Sequence, residues 1–150
     1  MLFFRYFPKL AFVASILLFA LCLANDAYST TYDVAGGGHP GVFLLFLGWF
    51  GIAWGGTLAW LANPALGMAW AFFVHKRYGL SVIAAAAALL LMLSFLFQDM
   101  VIASVAPTYA RITGYFLGYW LWVASAVALL LANAVAVMPT GFLTMPDRVP

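Results

Sequence analysis

Charged side chains are scarce in this sequence. Of its 150 residues only 7% are Asp, Glu, Lys or Arg, and glutamate is absent. In contrast, 67% are hydrophobic, and the mean hydropathy is +1.09. A soluble domain of this size does not carry so much apolar surface, whereas a bilayer accepts helices of about 20 apolar residues. The composition excludes a soluble globular domain and predicts an all-α integral membrane protein.

Side chains that carry chemistry are also few. Cys22 is the single cysteine, so neither an intramolecular disulfide nor a Cys-x-x-Cys centre can form. His39 and His75 fall on opposite sides of the membrane in the topology derived below, so they cannot share one metal ion. No Ser-His-carboxylate trio or phosphate loop can be assembled. We therefore predict no enzyme, no cofactor, and no catalytic, cofactor-binding or metal-binding residues.

The charges also exclude two classes of function. The six basic residues are scattered singly or in pairs at the ends of apolar segments, and the net charge is only +2. Nucleic-acid binding requires a clustered basic face that neutralises phosphates, so we expect no nucleic-acid partner. A proton-coupled transporter needs a carboxylate in the middle of the membrane, and Asp26 and Asp99 lie outside the apolar segments. Proton-driven transport is therefore disfavoured.

Apolar segments alternate with polar connections along the chain. The predicted spans are about 10–24, 41–63 with an extension to 74, 80–97 and 112–137. A single helix over 41–74 would be about 51 Å long, against a hydrocarbon core of about 30 Å. Because no polar turn divides that segment, we predict a long second helix that bends near Pro64. The expected fold is a four-helix transmembrane bundle forming one domain, 1–150.

The basic residues predict the orientation of the bundle. With four crossings and a cytoplasmic N-terminus, the residues on the inner side are Arg5, Lys9, Lys76, Arg77 and Arg148, and only Arg111 is outside. This asymmetry agrees with the positive-inside rule and places both termini in the cytoplasm. Arg5 and Lys9 before an apolar run are also typical of a signal peptide, but we interpret this run as a retained first helix. The expected location is the bacterial inner membrane.

Small residues recur at helical spacing in three of the predicted helices. The stripes are Gly48, Gly51, Gly55, Ala59 and Ala62 in the second helix, Ser81, Ala84, Ala85 and Ala88 in the third, and Gly114, Gly118, Ser125, Ala132 and Ala136 in the fourth. Membrane helices associate through close packing of such residues. We interpret the stripes as seams within the bundle, with an external partner helix as the alternative. Gly51 and Gly55 are expected to contact another helix closely.

Asn63 and Pro64 form the most distinctive local feature. Pro64 has no backbone N–H, which leaves the carbonyl of Trp60 without its usual helical partner. The Asn63 amide, a water molecule or another helix can satisfy that carbonyl, so the motif favours a structural kink over a binding site. Asn133 is the strongly polar residue inside the last helix, where an interhelical hydrogen bond explains it.

One stretch of the second segment has a recognisable motif. It contains Gly48, Trp49 and Gly51, followed by Trp60-Leu61-Ala62-Asn63-Pro64. In these residues the chain resembles small bacterial inner-membrane proteins that have a Gly-Trp helix followed by Trp-Leu-Ala-Asn-Pro. The resemblance implies a helical membrane protein and carries no activity with it.

Three functions fit these sequence features. The leading hypothesis is a non-enzymatic protein that binds a membrane partner, as an accessory or assembly subunit of a larger complex. Its partners would be the lipid bilayer and another membrane protein or a second copy of the chain. The first alternative is an immunity protein against a pore-forming toxin. The second is a small oligomeric channel or transporter lined by Thr57, Asn63 and Asn133.

The charge asymmetry makes a direct prediction of topology. A reporter fused after Arg148 or inserted at Lys76 should be cytoplasmic, and insertions near Gly37 and Pro107 should report the outer side, because short basic connections are retained inside. Paired phosphatase and fluorescent-protein fusions measure this. A periplasmic signal at Lys76 would contradict the four-helix topology.

Overall fold

The chain forms helices joined by a small sheet. The computed structural model describes residues 2–33, 37–53, 57–102 and 108–138. Its α-helices are α1 (Leu2–Ala24), α2 (Gly41–Leu47), α3 (Trp49–Ala53), α4 (Ala62–Val74), α5 (Tyr78–Ser94) and α6 (Leu117–Val137). Its strands are β1 (Asp26–Thr30), β2 (His39–Pro40), β3 (Met100–Ile102) and β4 (Tyr109–Tyr115), and 3₁₀ turns cover Leu58–Leu61 and Phe95–Phe97. The predicted residues Gly55, Pro107 and Arg148 lie outside the described residues.

Three helices are long and apolar enough to cross a bilayer. They are Tyr6–Ala24, Tyr78–Phe97 and Leu117–Val137, with 19, 20 and 21 residues. A further apolar helix, Leu58–Val74, is shorter. Its 3₁₀ turn and α-helical part together rise about 27 Å, slightly less than the about 30 Å of a hydrocarbon core. The structure therefore has the long apolar helices that the composition predicted for a membrane protein.

The predicted single helix over 41–74 is wrong. The described backbone leaves the helical conformation at Thr57, which is extended with φ −80° and ψ 141°. The hydroxyl of Thr57 accepts the N–H of Ala59 at 3.1 Å and so caps a new helical segment. Pro64 then falls in the first turn of α4, where a missing N–H costs little. The interruption therefore precedes Pro64, and no bend in a continuous helix is needed.

The described chain also contains an antiparallel sheet that composition did not predict. Its strand order is β2-β1-β4-β3. Tyr28 of β1 lies opposite Tyr115 of β4, and Met100 of β3 lies opposite Arg111. β1 contains Tyr28 and Thr30, and β4 contains two tyrosines, Ile112 and Thr113, which are residue types that favour strands. The last helix therefore begins at Leu117 rather than at Ile112.

Small residues lie where the long helices pack. α1 runs along α6, α5 lies against both α4 and α6, and the rings of Phe12 and Phe73 stack between α1 and α4 at 4.8 Å. The core contains Ala62, Leu66, Ala69, Ala85, Ala88, Met92, Ala126, Leu129 and Ala132, all fully buried. These alanines therefore serve contacts within the bundle.

A chain of hydrogen bonds joins three helices in this core. The indole N–H of Trp70 donates to the hydroxyl of Ser15 at 2.9 Å, and that hydroxyl donates to the carbonyl oxygen of Ser125 at 2.7 Å. Ser15 and Ser125 are fully buried. Since lipid offers no hydrogen-bond partners, such bonds fix α4, α1 and α6 relative to one another.

Gly118 provides a test of this packing. A Cβ atom there would lie 2.6 Å from the carbonyl oxygen of Asp26 and 2.7 Å from that of Asn25, whereas one at Gly67 meets no atom within 4 Å. We expect Gly118→Ala to lower the free energy of unfolding by about 1–3 kcal/mol and Gly67→Ala to leave it unchanged or slightly higher. Thermal unfolding in detergent measures both. Equal melting temperatures for the two variants would contradict the close contact.

Candidate functional site: an uncharged cavity beneath the sheet

A cavity of about 900 Å³ lies where the helices meet the sheet, and we call this region the sheet end. It is partly open, and its volume is within the range of about 300–1,000 Å³ that is usual for ligand pockets. Aromatic side chains dominate its walls. They are Phe19, Tyr28, Phe43, Phe50, Trp60, Phe95, Tyr109, Tyr119 and Trp122.

The described walls of the cavity carry no Asp, Glu, Lys or Arg. His39 is at the edge, where its Nε2 lies 3.4 Å from the carboxylate of Asp33. Hydrogen bonds from Thr30, above all from its backbone N–H, hold the pKa of Asp33 below its usual value. Burial raises the pKa of Tyr28 to about 12, so its hydroxyl stays neutral. The interior is therefore apolar, aromatic and without formal charge.

Close backbone approaches shape one wall of the cavity. A Cβ atom at Gly41 would collide with the carbonyl oxygen of Cys22, so α2 starts directly against the end of α1. At Gly48 a Cβ atom would lie 2.6 Å from Cδ1 of Trp60. The indole N–H of Trp60 donates to the carbonyl oxygen of Leu45 at 2.9 Å, which fastens α2 to the 3₁₀ turn before α4.

Two tyrosine hydroxyls, from α6 and β4, donate hydrogen bonds at the end of α5. The hydroxyl of Tyr119 donates to the carbonyl of Met92, and that of Tyr115 donates to the carbonyl of Phe95, each at 3.0 Å. Each carbonyl also accepts a backbone N–H, from Phe95 and from Gln98 respectively, so the hydroxyls add a second hydrogen bond that ties α6 and β4 to this end of α5. They also hold Phe95 and Tyr119 in place as part of the cavity wall.

Asn63 and Trp122 meet at the cavity. The indole N–H of Trp122 on α6 donates to Oδ1 of Asn63 on α4 at 3.0 Å, and both residues line the cavity. The carbonyl of Trp60 is satisfied differently from the expectation, because it accepts from the backbone N–H of Ala62. The Asn63 side chain is therefore available for contacts between helices and for the cavity.

The residues singled out from the sequence fall into separate places. Gly48, Gly51, Ala59, Asn63 and Gly118 line the cavity. Gly114 lies in β4 opposite Ser29, so it shares no helix face with Gly118. No described part of the chain contacts Gly51 closely, because a Cβ atom there meets nothing within 4 Å, so the expected close contact stays a prediction for a partner helix only. Because the helix is interrupted at Thr57, the small residues between Gly48 and Ala62 do not lie on one face of a continuous helix, as their spacing had predicted.

Asn133 lies away from the cavity. Its amide nitrogen donates to Oγ of Ser81 at 3.0 Å and to the carbonyl of Leu129 at 2.9 Å, and Ser81 donates to the carbonyl of Ala69 at 2.8 Å. These bonds join α6, α5 and α4 as an interhelical role requires. Asn133 follows Trp122 by eleven residues, or about 16 Å along α6. Asn63 and Asn133 therefore do not line one common space.

Sequence reasoning missed Phe95, Tyr119 and Trp122. The spacing of Tyr119 and Trp122 on one helix face was a visible signal, but it does not reveal what the face meets. No family model, curated protein or solved structure matches this chain. Among the residues that the structure describes, no three His, Cys, Asp or Glu side chains are grouped to hold a metal ion. The cavity is thus the feature from which a function can be argued.

The hydrogen bond between Trp122 and Asn63 predicts a measurable coupling. In a double-mutant cycle of Trp122→Phe and Asn63→Leu, the two effects on unfolding free energy should be non-additive by about 0.6 kcal/mol, the average for interhelical bonds in membranes. Reversible unfolding in mixed detergent provides the four free energies. Strict additivity would show that this bond contributes nothing to stability.

Proposed function

We propose that this chain is a non-enzymatic protein of the bacterial inner membrane that binds a hydrophobic molecule from the bilayer in the cavity. The observation that carries the proposal is the cavity itself, with its volume of about 900 Å³ and its aromatic, uncharged walls. Such a pocket removes an apolar molecule from contact with bulk lipid and can hold it between rings.

The packing of the rest of the bundle supports this proposal. Residues such as Ala69, Ala88 and Ala126 are fully buried, so the helices approach closely wherever small residues permit. At the sheet end, large aromatic side chains line the space between the elements. A molecule bound between these rings makes dispersion contacts with the lining.

The topology that we propose has four crossings with both termini in the cytoplasm. Pairing of β1 with β4 places the connections after α1 and before α6 at the same end of the bundle. The turn 75–77 lies at the opposite end of α5 and contains Lys76 and Arg77. Segment 58–74 supplies the fourth crossing, and the positive-inside rule assigns the turn to the cytoplasm.

A second candidate function is an accessory or assembly subunit that binds another membrane protein. Gly51 favours it, because this glycine has open space in front of its Cα atom. Phe46 and Leu47 nearby are 69% and 56% exposed. An external helix could pack closely on this surface, as small residues in membranes permit.

Gly51 and Gly67 provide a matched test. Neither glycine has an atom within 4 Å of an added Cβ, but only Gly51 lines the cavity. Purified protein in nanodiscs is titrated with a brominated long-chain alkane, and quenching of tryptophan fluorescence is recorded. We expect saturable quenching in the wild type, affinity at least about tenfold weaker in Gly51→Leu, and unchanged affinity in Gly67→Leu.

Two outcomes separate the candidates. Saturable quenching that Gly51→Leu leaves unchanged would contradict binding in the cavity. Absence of saturable quenching in the wild type, together with a co-purifying membrane protein that Gly51→Leu releases, would support the accessory-subunit function instead.

A further inference from the structure

We infer that the molecule bound in the cavity is uncharged and carries a carbonyl oxygen, which accepts a hydrogen bond from the side-chain amide N–H of Asn63. This inference rests on the proposed function and names the chemical class of its ligand. The observation behind it is the orientation of the Asn63 side-chain amide in a cavity whose described walls have no Asp, Glu, Lys or Arg.

The orientation of the Asn63 amide follows from the chemistry of its partner. Trp122 has only an N–H to offer, so the Asn63 atom 3.0 Å from it must be the carbonyl oxygen Oδ1. The NH₂ group therefore points away from Trp122. Within the described residues this NH₂ group has no hydrogen-bond acceptor, although Asn63 lines the cavity.

Two other polar groups of the cavity wall are already engaged. The Tyr119 hydroxyl donates to Met92, and the Trp60 indole donates to Leu45. The Thr57 hydroxyl accepts from the N–H of Ala59 and retains its own proton for donation. Asn63 and Thr57 thus offer donors to a ligand, and a donor in an apolar site is best satisfied by an acceptor such as a carbonyl oxygen.

The charge of the ligand is inferred from the types of residue that line the cavity. An ionised carboxylate or ammonium buried in an apolar site needs a partner of opposite charge. The described lining has no Asp, Glu, Lys or Arg, and His39 at the edge already faces Asp33. A neutral ester or a quinone satisfies these conditions, since both present a carbonyl oxygen next to an apolar body.

The inference can be tested with four probes that have the same alkyl chain length and differ only in their head group. They are a brominated C16 alkane, its methyl ester, its carboxylate at pH 8, and a benzoquinone with the same chain. The wild type should bind the methyl ester or the quinone about threefold to tenfold more tightly than the alkane, the value of one hydrogen bond. The carboxylate should bind more weakly than the ester. Whichever of the two, ester or quinone, binds more tightly then indicates which class of molecule supplies the carbonyl oxygen.

Asn63→Leu and Trp122→Phe form the matched pair of variants. Both lose the bond between Trp122 and Asn63, but only Asn63→Leu also loses the donor. We expect Asn63→Leu to bind all neutral probes alike, with alkane affinity preserved as evidence of an intact fold. Trp122→Phe should retain the preference for the carbonyl-bearing probe.

The results distinguish this inference from the function on which it rests. If the wild type binds the alkane and the ester equally, or if the preference survives in Asn63→Leu, the assignment of Asn63 is overturned while binding in the cavity stands. Tighter binding of the carboxylate than of the ester would overturn the inference that the ligand is uncharged. Failure of the wild type to bind any probe saturably would overturn both proposals.

Discussion

Antiparallel pairing between β1 and β4 is the constraint on which the rest of the sheet end depends. β1 continues directly from α1, and β4 leads directly into α6, so one ladder fixes the ends of two long helices. β3 adds the end of α5 to the same sheet. Gly118 allows α6 to start in contact with the backbone of Asn25 and Asp26. The spacing of these helices at the sheet end is therefore set by backbone hydrogen bonds as well as by side-chain packing.

The two ends of the bundle are lined by different types of residue. Away from the sheet, alanine and serine side chains let the helix backbones approach, and buried hydrogen bonds such as Ser15 to Ser125 hold the register. Toward the sheet, rings such as Trp60 and Trp122 line the cavity, and their indole N–H groups donate to Leu45 and Asn63 of neighbouring elements. Because membrane helices gain no hydrophobic energy by associating, close packing of small residues and buried hydrogen bonds supply the contacts between them.

Composition and periodicity predicted the long apolar helices well, because hydropathy over about 20 residues is a strong signal. They failed for shorter features. Gly114 was placed in a helix because the last apolar segment was predicted to begin at Ile112, yet its strand forms through a partner, Ser29, that is 85 residues away in the sequence. The break at Thr57 depends on a single capping hydroxyl, which hydropathy does not register. Asn63 was recognised as unusual, but its partner Trp122 is visible only in three dimensions.

The turn between α4 and α5 has a consequence for how the protein enters the membrane. Lys76 adopts the left-handed conformation with φ 57°, and the N–H groups of Lys76 and Arg77 close back on the carbonyls of Phe73 and Phe72. This is the geometry that ends one helix and starts the next within three residues. We expect α4 and α5 to leave the translocation machinery as a joined helical hairpin. In the proposed topology, the short α4 would then cross together with the longer α5, and the basic turn between them would stay on the cytoplasmic side.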